Sequence, residues 1–441
     1  MGSDGSTGWR SCALADVVTS AVDGPFGSNL KTEHYVSAPG VRVVRLQNLG
    51  NGIFNDSDKA YIDHRHATSL AKHAVVAGDL LVASLGDESH PVARACQYPV
   101  GRPPAIVKAD CFRLRFDHAL ADPVFVKHVL NCPSTRRGLA GLSQGVTRDR
   151  VNLSALKRFR VAFPEVREQR RIAEILDTVD ETIRSTGRVI AKLEQVEQGL
   201  LHDLLTRGID EVGEIRGPDS RPTQLMETVI GLVPKAWKLS NVDTEFDVKP
   251  GITLGPERQP GSGASPYLRV ANVYRRHIDL TDVALLQASL GERAAYSLRS
   301  GDLLIVEGHA NPQEIGRCAI VTKLAAGLLY QNHLFRLRAK SMAPSFCELW
   351  LNSAFVRSYW QRTCASSSGL YTINSKQLRA MPVAVPSMTE QMAIVRASRT
   401  AAEQIQSEHR FLRKLRQLRI GLMDDLLTGR VRVKVENERA A

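Results

Sequence analysis

Glu168-Gln169-Arg170-Arg171-Ile172-Ala173-Glu174-Ile175-Leu176, led by Pro164 and followed by Leu193, Gly199-Leu200 and Leu204-Leu205-Thr206, decides how this chain is read. Its landmarks return near the end as Pro386, Glu390-Gln391, Leu415, Gly421-Leu422 and Leu426-Leu427-Thr428, each 222 positions further on. A solenoid unit repeats every 20–50 residues or so. A period this long marks a duplicated module, a globular domain with its own helix, and two like modules invite a bipartite target.

Both copies have a helical period. Ile172, Leu176, Val179, Ile183, Ile190, Leu193, Val196, Leu200 and Leu204 mostly fall three or four apart, with one gap of seven at Thr186. Ile394, Ala401, Ile405, Leu412, Leu415, Leu418, Leu422 and Leu426 take the matching places, with Ser398 in place of Leu176. A narrow apolar seam flanked by charge is a coiled-coil stripe. Pro164 and Pro386 fix the starts, and Gly208 and Gly429 lie near the ends. At 1.5 Å per residue each helix is about 57 Å long. Neither can hide such a stripe alone, and the economical partner is the other copy, antiparallel if the halves are related by a pseudo-two-fold axis.

The globular parts repeat more weakly. Arg45-Leu46-Gln47-Asn48 matches Arg269-Val270-Ala271-Asn272; Gly78-Asp79-Leu80-Leu81-Val82 matches Gly301-Asp302-Leu303-Leu304-Ile305; Phe112-Arg113-Leu114-Arg115 matches Phe335-Arg336-Leu337-Arg338. Such short runs between Gly and Pro read as β-strands with a few helices, giving an α/β class. In each module a polar loop leads into a short helix, Leu153 to Arg158 and Ser375 to Arg379. The expected boundaries are 1–163 for the first globular domain, 164–210 for its helix, 211–385 for a linker and second domain, 386–430 for the second helix and 431–441 for a tail.

Net charge is +12, divided as +5 over 1–166, −2 over 167–210, +5 over 211–386 and +4 over 387–441. The excess on both globular parts favours a polyanion, most simply nucleic acid. Seven scattered cysteines without a C-x-x-C pair argue against a disulfide framework or zinc ribbon. No apolar stretch reaches membrane-span length, and Met1 to Gly8 lacks a signal-peptide core, so a cytoplasmic protein is expected.

The search for chemistry returns little. Gly141-Leu142-Ser143-Gln144-Gly145 fits a nucleophile-elbow pattern but follows Arg136-Arg137 and precedes another loop, and its counterpart Ser366-Ser367-Ser368-Gly369 has lost the pattern. There is no Gly-Lys dipeptide, hence no standard phosphate-binding P-loop. His64-Arg65-His66 would present two imidazoles on one strand face, but no second ligand pair follows at zinc spacing. No catalytic or metal residue is expected. What remains is polar and basic loops. Arg forks onto guanine, and Asn and Gln pair with adenine edges. The candidates are Lys31, Arg45, Gln47, Asn48, Gln144, Thr147, Arg148 and Arg150 in the first module, and Arg269, Asn272, Arg275, Arg276, Tyr371, Thr372, Asn374 and Lys376 in the second. Arg45/Arg269 and Asn152/Asn374 also have a structural reading, since the repeat keeps them.

These residues resemble the specificity subunits of type I restriction–modification systems (HsdS). Asp23-Gly24-Pro25-Phe26-Gly27-Ser28-Asn29-Leu30-Lys31 looks like the opening of their first target-recognition domain, Pro164 through Gly208 like their central conserved region, and Leu418 through Gly429 like the distal one. The resemblance implies two α/β target-recognition domains, each reading one half of a split double-stranded DNA sequence. It implies two conserved helices forming an antiparallel coiled coil, a spacer that also docks two methyltransferase (HsdM) subunits. Restriction (HsdR) subunits complete the complex. S-adenosylmethionine, ATP and Mg would be bound by those partners, with no cofactor in this chain and no membrane. One turn of DNA is about 34 Å, so such helices suit half-sites separated by several unread base pairs. Inserting one heptad into both helices is expected to change the accepted spacing or abolish binding; unchanged binding to the original site would refute the ruler.

Overall fold

A computed structural model of the chain describes residues 8–87, 89–141, 149–217, 225–228, 231–364 and 369–434. The chain divides into two compact units, one made of 1–188 and 410–441, the other of 189–409.

In the first unit a four-stranded antiparallel sheet runs in the order Val18–Asp23, Cys111–Phe116, Leu80–Ala83, Ala95–Gln97. A five-stranded sheet beside it contains a parallel pairing of Val41–Val44 with Ala105–Val107. Leu80, Leu81, Val82 and Ala83 are all buried, although alternate residues of a strand point to opposite faces. Both faces are covered: Leu80 and Val82 pack with Phe112, Leu114 and Phe125, while Leu81 and Ala83 pack with Val44, Cys96 and Tyr98. The continuous apolar run is the mark of a strand inside a core.

The second unit repeats the plan. Phe246–Pro250, Leu334–Ala339, Leu303–Val306 and Cys318–Ile320 form the four-stranded sheet in the same order. The register is also kept, Leu304 lying opposite Arg336 as Leu81 lies opposite Arg113. The companion sheet is reduced to three strands, Ser265–Leu268 between Ala284–Leu286 and Leu329–Tyr330. Within the stretch expected as a linker, Leu225–Thr228 and Gly231–Pro234 pair antiparallel.

Two long helices, Val166–Thr206 and Met388–Leu427, carry the seam. Each follows a short strand, Arg160–Phe163 or Pro382–Val385, paired with the strand that opens its domain. In the first unit Ile172 and Leu176, near the start of the first helix, share a core with Met423, Leu426 and Leu427 at the end of the second, and Arg419 is ion-paired with Asp180. In the second unit Leu204 and Leu205, at the end of the first helix, share a core with Ile394 near the start of the second, and His409 lies 3.3 Å from Glu194. Start meets end in both units, so the pairing is antiparallel.

The seam departs from expectation at Val196 and Leu418, which are 53% and 51% exposed. Two successive steps of three, from Ile190 through Leu193 and from Leu412 through Leu415, rotate these positions about 120° away from the buried ones at 100° per residue. Val189 and Phe411, each 47% exposed, lie seven residues earlier on the same faces.

The repeated Glu-Gln pair explains itself in contacts. Gln169 accepts from the Asp122 N–H (2.8 Å) and donates to Leu120 and Pro164 carbonyls. Gln391 likewise accepts from the Ala343 N–H (2.8 Å) and donates to the Pro386 carbonyl. Glu168, buried, receives Arg432 at 2.7 and 2.8 Å, from the chain just past the end of the second helix. Glu390 receives Arg216 and the Ile209 N–H (2.9 Å), from the chain just past the end of the first. Gly208 ends that helix at φ +66°, and a Cβ there would lie 2.2 Å from a Glu390 oxygen and 2.7 Å from the Trp237 ring, so glycine is required twice over.

Arg216→Ala leaves Glu390 buried with one backbone donor. The expected loss is roughly 3–5 kcal/mol of stability for the second unit, measured by urea denaturation, with Arg216→Lys recovering only part because it cannot fork onto the carboxylate. A loss below about 1 kcal/mol would mean the pair behaves as a surface ion pair.

Candidate nucleic-acid interface

Several of the described candidates sit at strand ends on short turns. Leu46–Asn48 and Val270–Asn272 are matching 3-10 turns built by one asparagine each. Asn48 Oδ1 accepts from the Arg45 N–H (2.8 Å), and its amide donates to the Asn55 and Asp58 carbonyls (2.8 Å each). Asn272 repeats this with the Arg269 N–H (2.9 Å) and the Asp279 and Asp282 carbonyls (3.0 and 2.8 Å). Both side chains are buried. Against their place among the expected base readers, they are scaffold: reaching a base edge would cost all three bonds. Arg45 and Arg269 close the same loops, Arg45 forking onto Asp58 and Arg269 reaching Asp282 at 2.7 Å.

Gln47 stays exposed on the outer side of its turn. It lines a hollow of about 220 Å³ with Leu85, Gly86, Asp87, His90 and Arg94. The ribbon beside it pairs Asp149 with Gly86 and Arg150 with Leu85. Arg150 is exposed, lies over the Phe26 ring at 5.9 Å and donates to Asp110 Oδ1 at 2.7 Å. Phe26, itself 48% exposed, therefore joins Gln47 and Arg150 on the loop-bearing edge of the first unit. Lys31, on the loop after Phe26, is exposed and 3.5 Å from Glu33. Gln144, Thr147 and Arg148 lie outside the described residues, as do Ser143 and Ser366 to Ser368 of the nucleophile-elbow comparison.

The second unit builds the equivalent ribbon from Gly308–His309 and Tyr371–Thr372. Thr372 is exposed and Tyr371 half-buried. Asn374 caps the following helix, Ser375–Ala380, accepting from the Gln377 N–H at 2.8 Å, as Asn152 caps Leu153–Arg158. Its first role is therefore the cap, while Lys376 projects from the helix into solvent. Arg275 and Arg276 are separated from this ribbon's residues by their contacts: Arg275 donates to Asn352 Oδ1 (3.2 Å) and the Gln313 carbonyl (2.8 Å), and Arg276 lies 3.9 Å from Glu197 of the first long helix.

Sequence reasoning missed the buried arginine under these loops. Arg94 donates to the carbonyls of Leu49 (2.6 Å), Leu85 (2.9 Å) and Leu46 (3.1 Å), joining the turn to the ribbon. Arg317 repeats the bond to the turn at Val270 (3.1 Å). The signal was present, since both stand 16 residues after their Gly78 or Gly301. His64-Arg65-His66 is corrected: it opens a helix, His64–Ser69, capped by Asp63, where residues two apart diverge by about 200°. His66 instead lies 2.9 Å from the Asn29 carbonyl oxygen.

His128, Asp177 and Asp180 cluster closely enough to suggest metal ligands, but each carboxylate is engaged by protein cations. Asp177 takes Lys127 and His128 at 2.5 and 2.8 Å, and Asp180 takes Arg419. Burial works to raise the Asp177 pKa, yet the bonds from His128 and Lys127 hold it at about 2. Burial lowers that of His128, so the neutral ring donates from Nε2. The network seats helix Pro123–Asn131 on the first long helix. All seven cysteines are buried free thiols, and no helix among the described residues is long and apolar enough to cross a membrane.

A duplicated recognition-type domain, each copy keyed to a long antiparallel helix pair, is the architecture the motifs implied, and comparison with known proteins agrees. The family model described as the type I restriction modification DNA specificity domain matches residues 133–195. More particularly, the chain is similar to the type I restriction enzyme EcoKI specificity subunit of Escherichia coli K12, at 24% identity over 393 residues, covering 88% of this chain and 81% of that one. It is similar to the StySPI specificity subunit of Salmonella potsdam at 22% over 395 residues, with 88% and 81% covered. Among solved structures, a chain from work on complex assembly and conformational transition of the type I R-M system aligns over 95% of this chain and 97% of its own, with TM-score 0.61 and 15% identity. The HsdS subunit of Thermoanaerobacter tengcongensis aligns over 96% and 97%, with TM-score 0.53 and 17% identity. These two structures support the fold.

One group at the first edge is tuned. Burial, with Asp110 nearby, raises the Asp23 pKa to about 6 against the Gly24 N–H and Arg150, which lower it. A raised carboxyl pKa means the folded state holds the proton more tightly, so stability from this group is present at low pH and lost as pH rises through 6. Asp23→Asn removes that dependence. Its stability advantage over the parent, read from urea midpoints, is expected to grow between about pH 4 and 6 and then stay level; a difference independent of pH would show that Asp23 titrates normally.

Proposed function

We propose that this chain selects the DNA sequence on which a type I restriction–modification system acts, and that it does so without catalysing a reaction itself. The observation that carries this reading is the division within each unit. The central bonds of the framework recur in both: Asn48 and Asn272 in the turns, Arg115 on Asp79 and Arg338 on Asp302, Asn131 on Ala95 and Asn352 on Cys318. The exposed residues on that framework differ, Gln47 against Ala271 and Arg150 against Thr372. Two such surfaces suit two different half-sites.

In this mechanism Gln47 and the Arg150 ribbon of the first unit, and Tyr371, Thr372 and Lys376 of the second, supply base-edge and phosphate contacts. The buried Arg94 and Arg317 hold the turns still beneath them. Two copies of a methyltransferase partner are supported by the exposed apolar pairs on the helices, because Val189 and Val196 stand 222 positions before Phe411 and Leu418. Scattered exposed apolar residues need no explanation; the same pair at equivalent places in a repeat suits one partner bound twice. S-adenosylmethionine, ATP and Mg belong to the methyltransferase and restriction partners in this reading.

The test is a methylome. The chain is expressed with its methyltransferase partner in a host lacking modification, and N6-methyladenine is mapped by long-read sequencing. A split motif is expected, and replacing residues 8–163 by another recognition domain should change one half only. A contiguous motif, or a change in both halves, would overturn the two-reader mechanism.

A further inference from the structure

The second unit contains a cleft of about 390 Å³ between the end of the first long helix and the recognition domain. Its floor is apolar, from Leu201, Leu205, Leu349 and Phe355. Its lining carries three guanidinium groups, Arg275, Arg276 and Arg357, against one carboxylate, Glu197, which lies 3.9 Å from Arg276 and leaves the cations in excess. A volume of this size, largely apolar with a few convergent polar groups, is that of a small-molecule site.

The repeat supplies a control for what the cations are doing. In the first unit Arg136 stands where Arg357 does, and its Nη2 is satisfied by Asn51 Oδ1 (2.7 Å) and Asn131 Oδ1 (2.5 Å). In the second unit the place of Asn51 is taken by Arg275. Arg275 now holds Asn352 Oδ1 (3.2 Å), and Arg357 falls back on the Asn352 backbone carbonyl (3.3 Å). Two guanidinium groups thus converge on one asparagine, and among the described residues neither forms an ion pair with a carboxylate. Burial and the neighbouring Arg357 push the Arg275 pKa down, against Glu314, which raises it.

Arg276 adds a second, independent sign. It has φ +61°, the left-handed region, where the first unit has Gly52 at φ +83°. The backbone role is the same in both: Gly52 N–H donates to the Ala95 carbonyl and Arg276 N–H to that of Cys318. A glycine would serve that turn without strain, whereas a side chain there is strained. The side chain is therefore held against the backbone's preference, at the mouth of the cleft.

We propose that this cleft binds a small organic anion, a carboxylate or phosphate group on a flat apolar body, with the oxyanion between Arg275, Arg276 and Arg357 and the body against Phe355 and Leu201. The site belongs to the second unit alone. Titration of the full chain by calorimetry with phenyl phosphate, benzoate and inorganic phosphate tests it. At least one aromatic anion should bind at one equivalent, and inorganic phosphate at least about tenfold more weakly. The better of phenyl phosphate and benzoate identifies the head group. Arg357→Ala should weaken binding at least about tenfold. Arg276→Gly, which relieves the strained turn and so leaves the chain folded, should do the same while raising the melting temperature. Arg136→Ala in the first unit should leave binding unchanged. No saturable binding of either aromatic anion at millimolar concentration, equal binding of inorganic phosphate, or unchanged binding in Arg357→Ala would each overturn the proposal.

Discussion

A glutamate at the start of each long helix, its side chain 5% exposed in the first and 9% in the second, must find a cation, and each finds it on the stretch of chain that follows the opposite helix. Glu168 holds Arg432, and Glu390 holds Arg216. An unpaired buried carboxylate is several kcal/mol too costly to keep, so the helix ends are obliged to meet. The adjoining glutamines, Gln169 and Gln391, spend their amides on the domain that precedes them. Helix to helix and helix to domain are thus fixed by neighbouring side chains, and the loops that face outward rest on that junction.

Much of this was legible because it is repeated. The internal repeat exposed the helices, the glycine stops and the strand cores, since residues kept in both copies are those the framework cannot lose. The same rule has a blind side. Asn48 and Asn272 are polar and repeated, which suits either a base reader or a turn scaffold, and only their three hydrogen bonds decide for the scaffold. Val196 and Leu418 fit a seam by spacing, yet two short steps turn them outward. Arg94 was passed over, because nothing local says that three carbonyls will converge on it. Long-range hydrogen bonding is the information that one strand of sequence does not carry.

The two units also show where a duplicated framework tolerates change. The four-stranded sheet keeps its order and register, while the companion sheet shrinks from five strands to three. The ion pair of Asp79 with Arg115 survives as Asp302 with Arg338 because the aspartate is buried in both. By contrast, the position after the matched turn passes from asparagine and glycine, Asn51-Gly52, to two arginines, Arg275-Arg276. Divergence is concentrated where side chains leave the core, as loop-borne recognition requires.

One consequence concerns the order in which the chain is made. The second unit is continuous, residues 189–409, whereas the first is assembled from 1–188 and 410–441. The core around Phe125 and Leu176 includes Met423, Leu426 and Leu427, and Glu168 takes its cation from Arg432. A ribosome at about 5–20 residues per second takes roughly 11–44 s to make the intervening unit. For that interval the domain synthesised first lies without its closing helix, and its younger copy is complete before that helix is made. The N-terminal half of this protein is the last to be finished.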